Sequence, residues 1–322
     1  MQMNVNAAGL TRTQVAAGRA AIPKGFTQST VTPMTDDFEI DIPTFEKVID
    51  FHVRTGASAI AWPLHKSESL NLSIAERKLG AEVVVKTVDK RLPVIIFASA
   101  LSTADTKDLA QHAEKVGADG INVITPYFWN LTEEAIIDHF IRIGTSMSLP
   151  MMAYNSPGLM SGVEITPRAI QILIEKLPNL GGVKEVSFNG EKFTEFCRAS
   201  LALRPDFTIM TGVEYLLPSF PLGGSGSYSS GGAVCPNLIA RLHRACLDSD
   251  WEAARPLQYA VSRIWGLFRD HYPSSLKGGM ALMGRPVGPT RSPLPTASPE
   301  RIKFIRSQLE ELNIFDTEPM GW

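Results

Sequence analysis

From Gly25 onward the apolar positions follow two alternating periods. Short runs of β-branched and aliphatic residues lie near Thr27–Thr32, Ala57–Trp62, Val94–Ala98, Gly120–Thr125, Met151–Tyr154, Gly182–Glu185, Thr208–Thr211 and Gly226–Ser229, and each predicts a strand. Longer segments of helical period separate them. Thr44–Thr55 follows Asp41, Ser73–Val88 opens with Ser73 three residues before Glu76, and Thr132–Ser146 opens with Thr132 and Glu133. The Ser73/Glu76 spacing is that of a capping box, which satisfies amide donors otherwise orphaned at a helix start. Strands alternating with helices imply a parallel sheet, and eight is the number at which such a sheet closes. The expected fold is therefore α/β, a (β/α)8 TIM barrel.

After Pro236 the strand signal stops. Helical segments follow at Asn237–Ser249, Trp251–Asp270, Ser274–Met283 and Pro299–Leu312, interrupted by Gly284–Ser298, where Pro286, Pro289, Pro293 and Pro295 forbid regular helix. The pattern divides the chain into an N-terminal extension (1–24), a catalytic barrel (25–236) and a C-terminal helical region (237–322).

Composition narrows the function. Of 322 residues, 44% are hydrophobic and 20% charged, an ordinary globular balance, and the net charge of -2 offers no footprint for nucleic acid. No apolar run reaches the roughly 18 residues of a membrane helix. Cys197, Cys235 and Cys246 lack CxxC spacing, which points away from a zinc site or disulfide framework and toward a reducing, cytoplasmic compartment. The leader carries Arg12, Arg19 and Lys24 with no acidic residue before Asp36, a faint echo of a transit peptide, and is read as an unstructured or partner-contacting arm.

In a barrel of this kind chemistry gathers where strands end. The sixth run ends Val183-Lys184-Glu185, placing a lysine in apolar surroundings. Burial lowers an amine's pKa, and only the neutral amine attacks a ketone to form a Schiff base. A strand-end lysine that snorkels to solvent is the competing reading. The fifth run ends Ala153-Tyr154-Asn155-Ser156-Pro157, with a phenol able to relay protons, although a lone tyrosine is more often a core residue. The eighth run passes through Gly223–Gly232, whose small residues let backbone approach a ligand; Tyr228 within it is a candidate substrate contact.

Together these features resemble the N-acetylneuraminate lyase and dihydrodipicolinate synthase superfamily of class I Schiff-base lyases, from about Gly25 to Leu312. The residues that carry the resemblance are Thr32-Pro33, Ala118-Asp119-Gly120 with Thr125-Pro126-Tyr127, Tyr154-Asn155-Ser156-Pro157, Lys184-Glu185, Ala281–Gly284 and Arg291-Ser292-Pro293-Leu294. The resemblance implies that Lys184 forms an imine with a pyruvate-type 2-oxo acid, that Tyr154 shuttles protons, that no cofactor is needed, and that the protein is a homotetramer, a dimer of dimers.

The chain departs from the family in the loop that ordinarily grips the substrate carboxylate. Where relatives read Gly-Thr-Thr-Gly-Glu, it reads Leu64-His65-Lys66-Ser67-Glu68. Lys66 is a substitute anchor whose charge would also depress the pKa of Lys184, His65 a substitute relay, Ser67 a further contact, and Glu68 a structural acceptor. The competing reading is a remodelled loop whose His65 and Lys66 point elsewhere.

Phe128 stands where the synthases' second tyrosine would, and the arginine they carry beyond Tyr-Asn-x-Pro is absent from Gly158–Gly162, which disfavours a true dihydrodipicolinate synthase. Phe128, Trp129, Leu159 and Met160 suggest an apolar outer pocket. The expected activity is aldol cleavage or condensation, or a hydratase-aldolase reaction. A 2-keto-3-deoxy sugar acid dehydratase is the alternative, and a non-catalytic 2-oxo acid binder the alternative of another class.

Overall fold

The computed structural model describes residues 21–158 and 162–322. Eight parallel strands close into a barrel in chain order, each paired with its sequence neighbours and the last with the first. They are β1 (Gly25–Ser29), β2 (Ala59–Trp62), β3 (Val94–Phe97), β4 (Gly120–Ile124), β5 (Met151–Asn155), β6 (Leu180–Glu185), β7 (Thr208–Thr211) and β8 (Gly226–Ser229). The helices that alternate with them are α1 (Ile42–Arg54), α2 (Ile74–Val88), α3 (Thr103–Val116), α4 (Glu133–Gly144), α5 (Pro167–Lys176), α6 (Gly190–Leu203), the single turn α7 (Leu216–Ser219) and α8 (Pro236–Leu247). Beyond them lie α9 (Trp251–Arg269), α10 (Ser274–Leu282), α11 (Pro299–Glu311) and α12 (Ile314–Thr317). The expected (β/α)8 barrel with C-terminal helices is the fold.

The helix starts follow the anticipated chemistry. Asp41 accepts from the Thr44 amide at 3.1 Å, and Thr132 from the Ala135 amide at 3.3 Å. The capping box is complete, with Ser73 accepting from the Glu76 amide at 3.2 Å and Glu76 from the Ser73 amide at 2.7 Å.

Strand alternation sorts the core into two layers. Outward-facing Ile60, Trp62, Ile96, Val123, Ala153, Val183 and Ile209 join the main core between sheet and helices. Inward-facing Ala61, Ile95, Phe97, Ile124, Met152, Tyr154, Met210 and Tyr228 fill the barrel itself. Ile22, just ahead of β1, plugs the end opposite the strand-to-helix loops, its carbonyl accepting from the Thr208 hydroxyl at 3.2 Å. Packing in the outer layer is tight enough to dictate a glycine. A Cβ at Gly80, in the middle of α2, would lie 2.1 Å from the ring of Trp62, which is itself fully buried.

The first strand ends at Ser29, short of the expected Thr32. Thr30–Thr32 folds over the barrel rim, where the Thr30 carbonyl accepts from the Ser67 hydroxyl and the Thr32 hydroxyl donates to the Ser67 carbonyl at 2.6 Å. The segment after β1 thereby fixes the loop that follows β2.

Candidate active site

The inward alternation of β6 aims Lys184 into the barrel at its carboxyl end. The residue is 4% exposed. Its amine lies 3.6 Å from the centre of the Tyr154 ring on β5 and 4.7 Å from that of Tyr228 on β8. Two effects oppose each other here. An ammonium over desolvated aromatic faces gains about 2 kcal/mol, roughly one and a half pKa units. Full burial costs an ammonium up to about 3–5 units. Burial wins, and with the neighbouring Lys66 charge it holds the Lys184 amine well below the usual lysine range. Snorkelling to solvent is not what this lysine does.

Around it lies a cleft lined among others by Ser29, His65, Lys66, Tyr154, Lys184 and Tyr228. Tyr154 is 4% exposed and Tyr228 1%. Burial pushes both phenols up, tempered for Tyr154 by Ser156 and for Tyr228 by Asn122, whose side-chain amide donates to the Tyr228 hydroxyl at 3.2 Å.

The atypical loop after β2 forms a short 3-10 turn, His65–Ser67. Its amides are partly committed to the turn, Ser67 donating to Leu64 and Glu68 to His65, both at 3.0 Å. The side chains of His65 and Lys66 face the cleft. The Lys66 amine donates to the Ser229 carbonyl at the end of β8. Burial brings its pKa down to about 7, against an upward pull from Glu214. Desolvation at the cleft first, then the charges of Lys184 and Lys66, lowers the His65 imidazole to about 4, although the residue itself stands exposed at the cleft mouth. Its ring meets Tyr272 edge-on at 5.3 Å.

Ser67 and Glu68 turn away from the cleft and hold the loop. Ser67 links Thr30, Thr32 and the Leu64 amide. Glu68, in left-handed backbone with φ 59°, pairs with Lys277 at 2.7 Å and accepts from the Arg291 amide at 2.7 Å. Phe128 is not brought to the cleft either: with φ 78° its ring swings outward, 86% exposed, edge-on to Trp129. Leu159 and Met160 lie outside the described residues.

Several residues in or just behind the cleft wall carried no sequence signal. Ser29, at the end of β1, has a hydroxyl without a hydrogen-bond partner among the described residues. Glu214, after β7, accepts from the Ser229 hydroxyl and, at 2.7 and 2.8 Å, from the amides of Ser230 and Gly231. Trp265 and Tyr272 reach the cleft from α9 and the turn beyond it, with the Tyr272 hydroxyl 3.1 Å from that of Ser230. The remaining walls, Val186, Phe188 and Val213, are apolar. Phe188 and Gly212 also border a second hollow, lined mainly by Phe193, Tyr215, Pro218 and Leu222 and lying outside the barrel wall.

The chain has relatives among known proteins. The chain is 31% identical to the 4-hydroxy-tetrahydrodipicolinate synthase of Methanocaldococcus jannaschii over 293 residues, 90% of this chain and 99% of that one. It is 29% identical over 299 residues to the Escherichia coli (strain K12) protein YagE, provisionally named a 2-dehydro-3-deoxy-D-gluconate aldolase, covering 91% and 99% of the two chains. The crystal structure of YagE in complex with pyruvate superposes with a TM-score of 0.88 at 28% identity, over 91% of this chain and 100% of that one. The sequence profile of the dihydrodipicolinate synthetase family matches residues 23–312, and the chain belongs to that family.

Proposed function

We propose that the protein is a class I lyase that forms an imine between Lys184 and a pyruvate-type 2-oxo acid, and makes or breaks a carbon–carbon bond beside it. The observation that carries this reading is the Lys184 amine itself, buried, depressed in pKa and enclosed by two tyrosine rings at the end of a barrel strand. The neutral amine attacks the keto carbon, and the resulting iminium withdraws electrons from the adjacent bond. Tyr154, whose phenol stays protonated, gives and retrieves the proton as the carbinolamine loses water. Lys66 supplies the cation for the substrate carboxylate in place of the family's loop amides. Such chemistry needs no cofactor, and a relative that only binds a 2-oxo acid would gain nothing from a buried neutral amine.

The apolar walls Val186, Phe188 and Val213 favour an aldol or hydratase-aldolase reaction with an aliphatic or aromatic distal group. Phe188 replaces Phe128 as the residue on which that preference rests. The resemblance to YagE favours a second reading of the substrate, a 2-keto-3-deoxy sugar acid, whose hydroxyls Ser29 and Ser230 would meet. In either case the assembly proposed is a homotetramer in a reducing cytoplasm, consistent with buried free thiols at Cys197, Cys235 and Cys246.

The test is intact-protein mass after borohydride reduction with pyruvate, with Lys184→Ala as control. An adduct present in the wild type and lost in the variant supports the imine. Failure across a panel of 2-oxo acids removes it.

A further inference from the structure

Two buried amines, those of Lys66 and Lys184, line the cleft. Lys66 and Lys184 are each 4% exposed, and the Lys66 charge bears on Lys184. Two ammoniums lining one cleft disfavour each other, so a single proton goes where its environment is better. Around Lys184 stand the faces of Tyr154 and Tyr228. Its sequence neighbour Glu185 points the other way, its carboxylate bound to Asn155 and the Ser187 amide. Lys66 donates to the Ser229 carbonyl, and the hydroxyl of that same Ser229 donates to Glu214. Glu214 is 3% exposed and held by the amides of Ser230 and Gly231, so its carboxylate is fixed beside the end of β8.

We propose that Glu214 is a positioning residue for imine formation: it retains the shared proton on Lys66 through the end of β8, and the Lys66 ammonium keeps Lys184 neutral. Glu214 touches neither the reacting amine nor the keto carbon. The other titratable groups facing Lys66 are His52 from α1, His65 from its own loop, and Lys184 from β6. Neither imidazole carries a negative charge, so Glu214 is the anion that favours the proton on Lys66. The inference rests on the imine reading above and gives the substituted loop a purpose. A threonine at position 66 would carry no charge, whereas this lysine ties the reactivity of Lys184 to a carboxylate that follows β7.

The sign of a pH shift separates this role from a direct one. If Glu214 acted on Lys184 through space, neutralising it would remove an anion that favours the Lys184 ammonium, and the low-pH limb of imine formation would move to lower pH. Acting through Lys66, the same change lets Lys66 deprotonate, relieves Lys184 of a neighbouring cation, and moves the limb to higher pH.

The experiment follows the rate of cyanoborohydride-trapped pyruvate adduct at saturating pyruvate between about pH 5 and 9, a window that brackets the titration of both amines. Glu214→Gln, which keeps an oxygen for the Ser229, Ser230 and Gly231 donors, moves the low-pH limb up by about one unit. Glu214→Asp restores the wild-type profile, and in a Lys66→Met background Glu214→Gln adds no shift. A limb that stays put, moves to lower pH, or shifts equally without Lys66 overturns the proposal. An unreactive wild type overturns the imine reading and this inference together, whereas an adduct with an unmoved limb overturns this inference alone.

Discussion

The Lys184 amine sits 3.6 Å above the centre of the Tyr154 ring, so the phenol and the amine are held by one contact rather than by two independent pockets. Removing only the hydroxyl leaves that contact in place. Tyr154→Phe should therefore still form the pyruvate adduct, while turnover falls about 10²–10⁴-fold, the usual worth of a positioned proton donor. Comparing adduct formation with steady-state kcat measures this directly, and an undiminished kcat would take Tyr154 out of the proton path.

The sequence exposes those parts of the site that lie at the ends of apolar runs. Lys184 and Tyr154 are the first polar or phenolic groups where β6 and β5 finish, and period-two alternation aims both inward. Capping residues were legible for the same reason, because Asp41, Ser73, Glu76 and Thr132 act within one turn of their own position. Glu214 and Tyr272 were not, since each is defined by partners on other elements: Ser229, Ser230 and Gly231 for the first, His65 and Ser230 for the second. Phe128 shows the converse limit. A run of aromatics beside a substrate loop reads as a pocket wall, yet one left-handed residue turns the ring to solvent.

Gly80 is a residue whose identity is set by its neighbour rather than by its helix. Alanine there gains about 1 kcal/mol of helix propensity but drives a methyl into the Trp62 ring. That ring cannot yield cheaply, because it is buried, packed against Phe45 at 5.5 Å and tied to the Thr32 hydroxyl at 2.9 Å. Overpacking of this kind costs about 1–3 kcal/mol. Gly80→Ala should thus lower the chemical-denaturation midpoint, and a stabilised variant would mean that the helix shifts more freely than its packing implies.

Acid sensitivity follows from the histidines. Burial holds His52 at about 3 and His139 and His243 at about 4, against an ordinary 6.5. Between those values the unfolded chain binds protons that the folded chain refuses, so stability is full above pH 6.5 and is lost as pH falls toward 4. Raised carboxyl pKa values at Glu185 and Glu318 act in the opposite sense and offset part of the loss. Thermal melts between pH 7 and 5 should show a falling Tm, with a net uptake of about one to three protons on unfolding near pH 5. A flat profile would contradict the buried, neutral state of these rings.

The ion pair of Lys277 with Glu68 couples the C-terminal helices to the substrate loop. Both side chains are almost fully buried, 4% and 0% exposed, and the pair is reinforced by the Arg291 amide on Glu68 and by the Pro289 carbonyl on Lys277. A buried pair adds little relative to a well-packed apolar substitute, but breaking it from one side strands a charge, at about 3–5 kcal/mol. Lys277→Met should accordingly destabilise the fold more than the double change Lys277→Met with Glu68→Leu. Because Glu68 closes the turn that presents His65 and Lys66, the single variant should also raise KM for the 2-oxo acid more than it lowers kcat. Melting curves on the two variants read the first expectation and steady-state kinetics the second. Equal destabilisation by the single and double changes would show that Glu68 is not carrying an uncompensated charge, and that the loop is held by Ser67 and Arg291 instead.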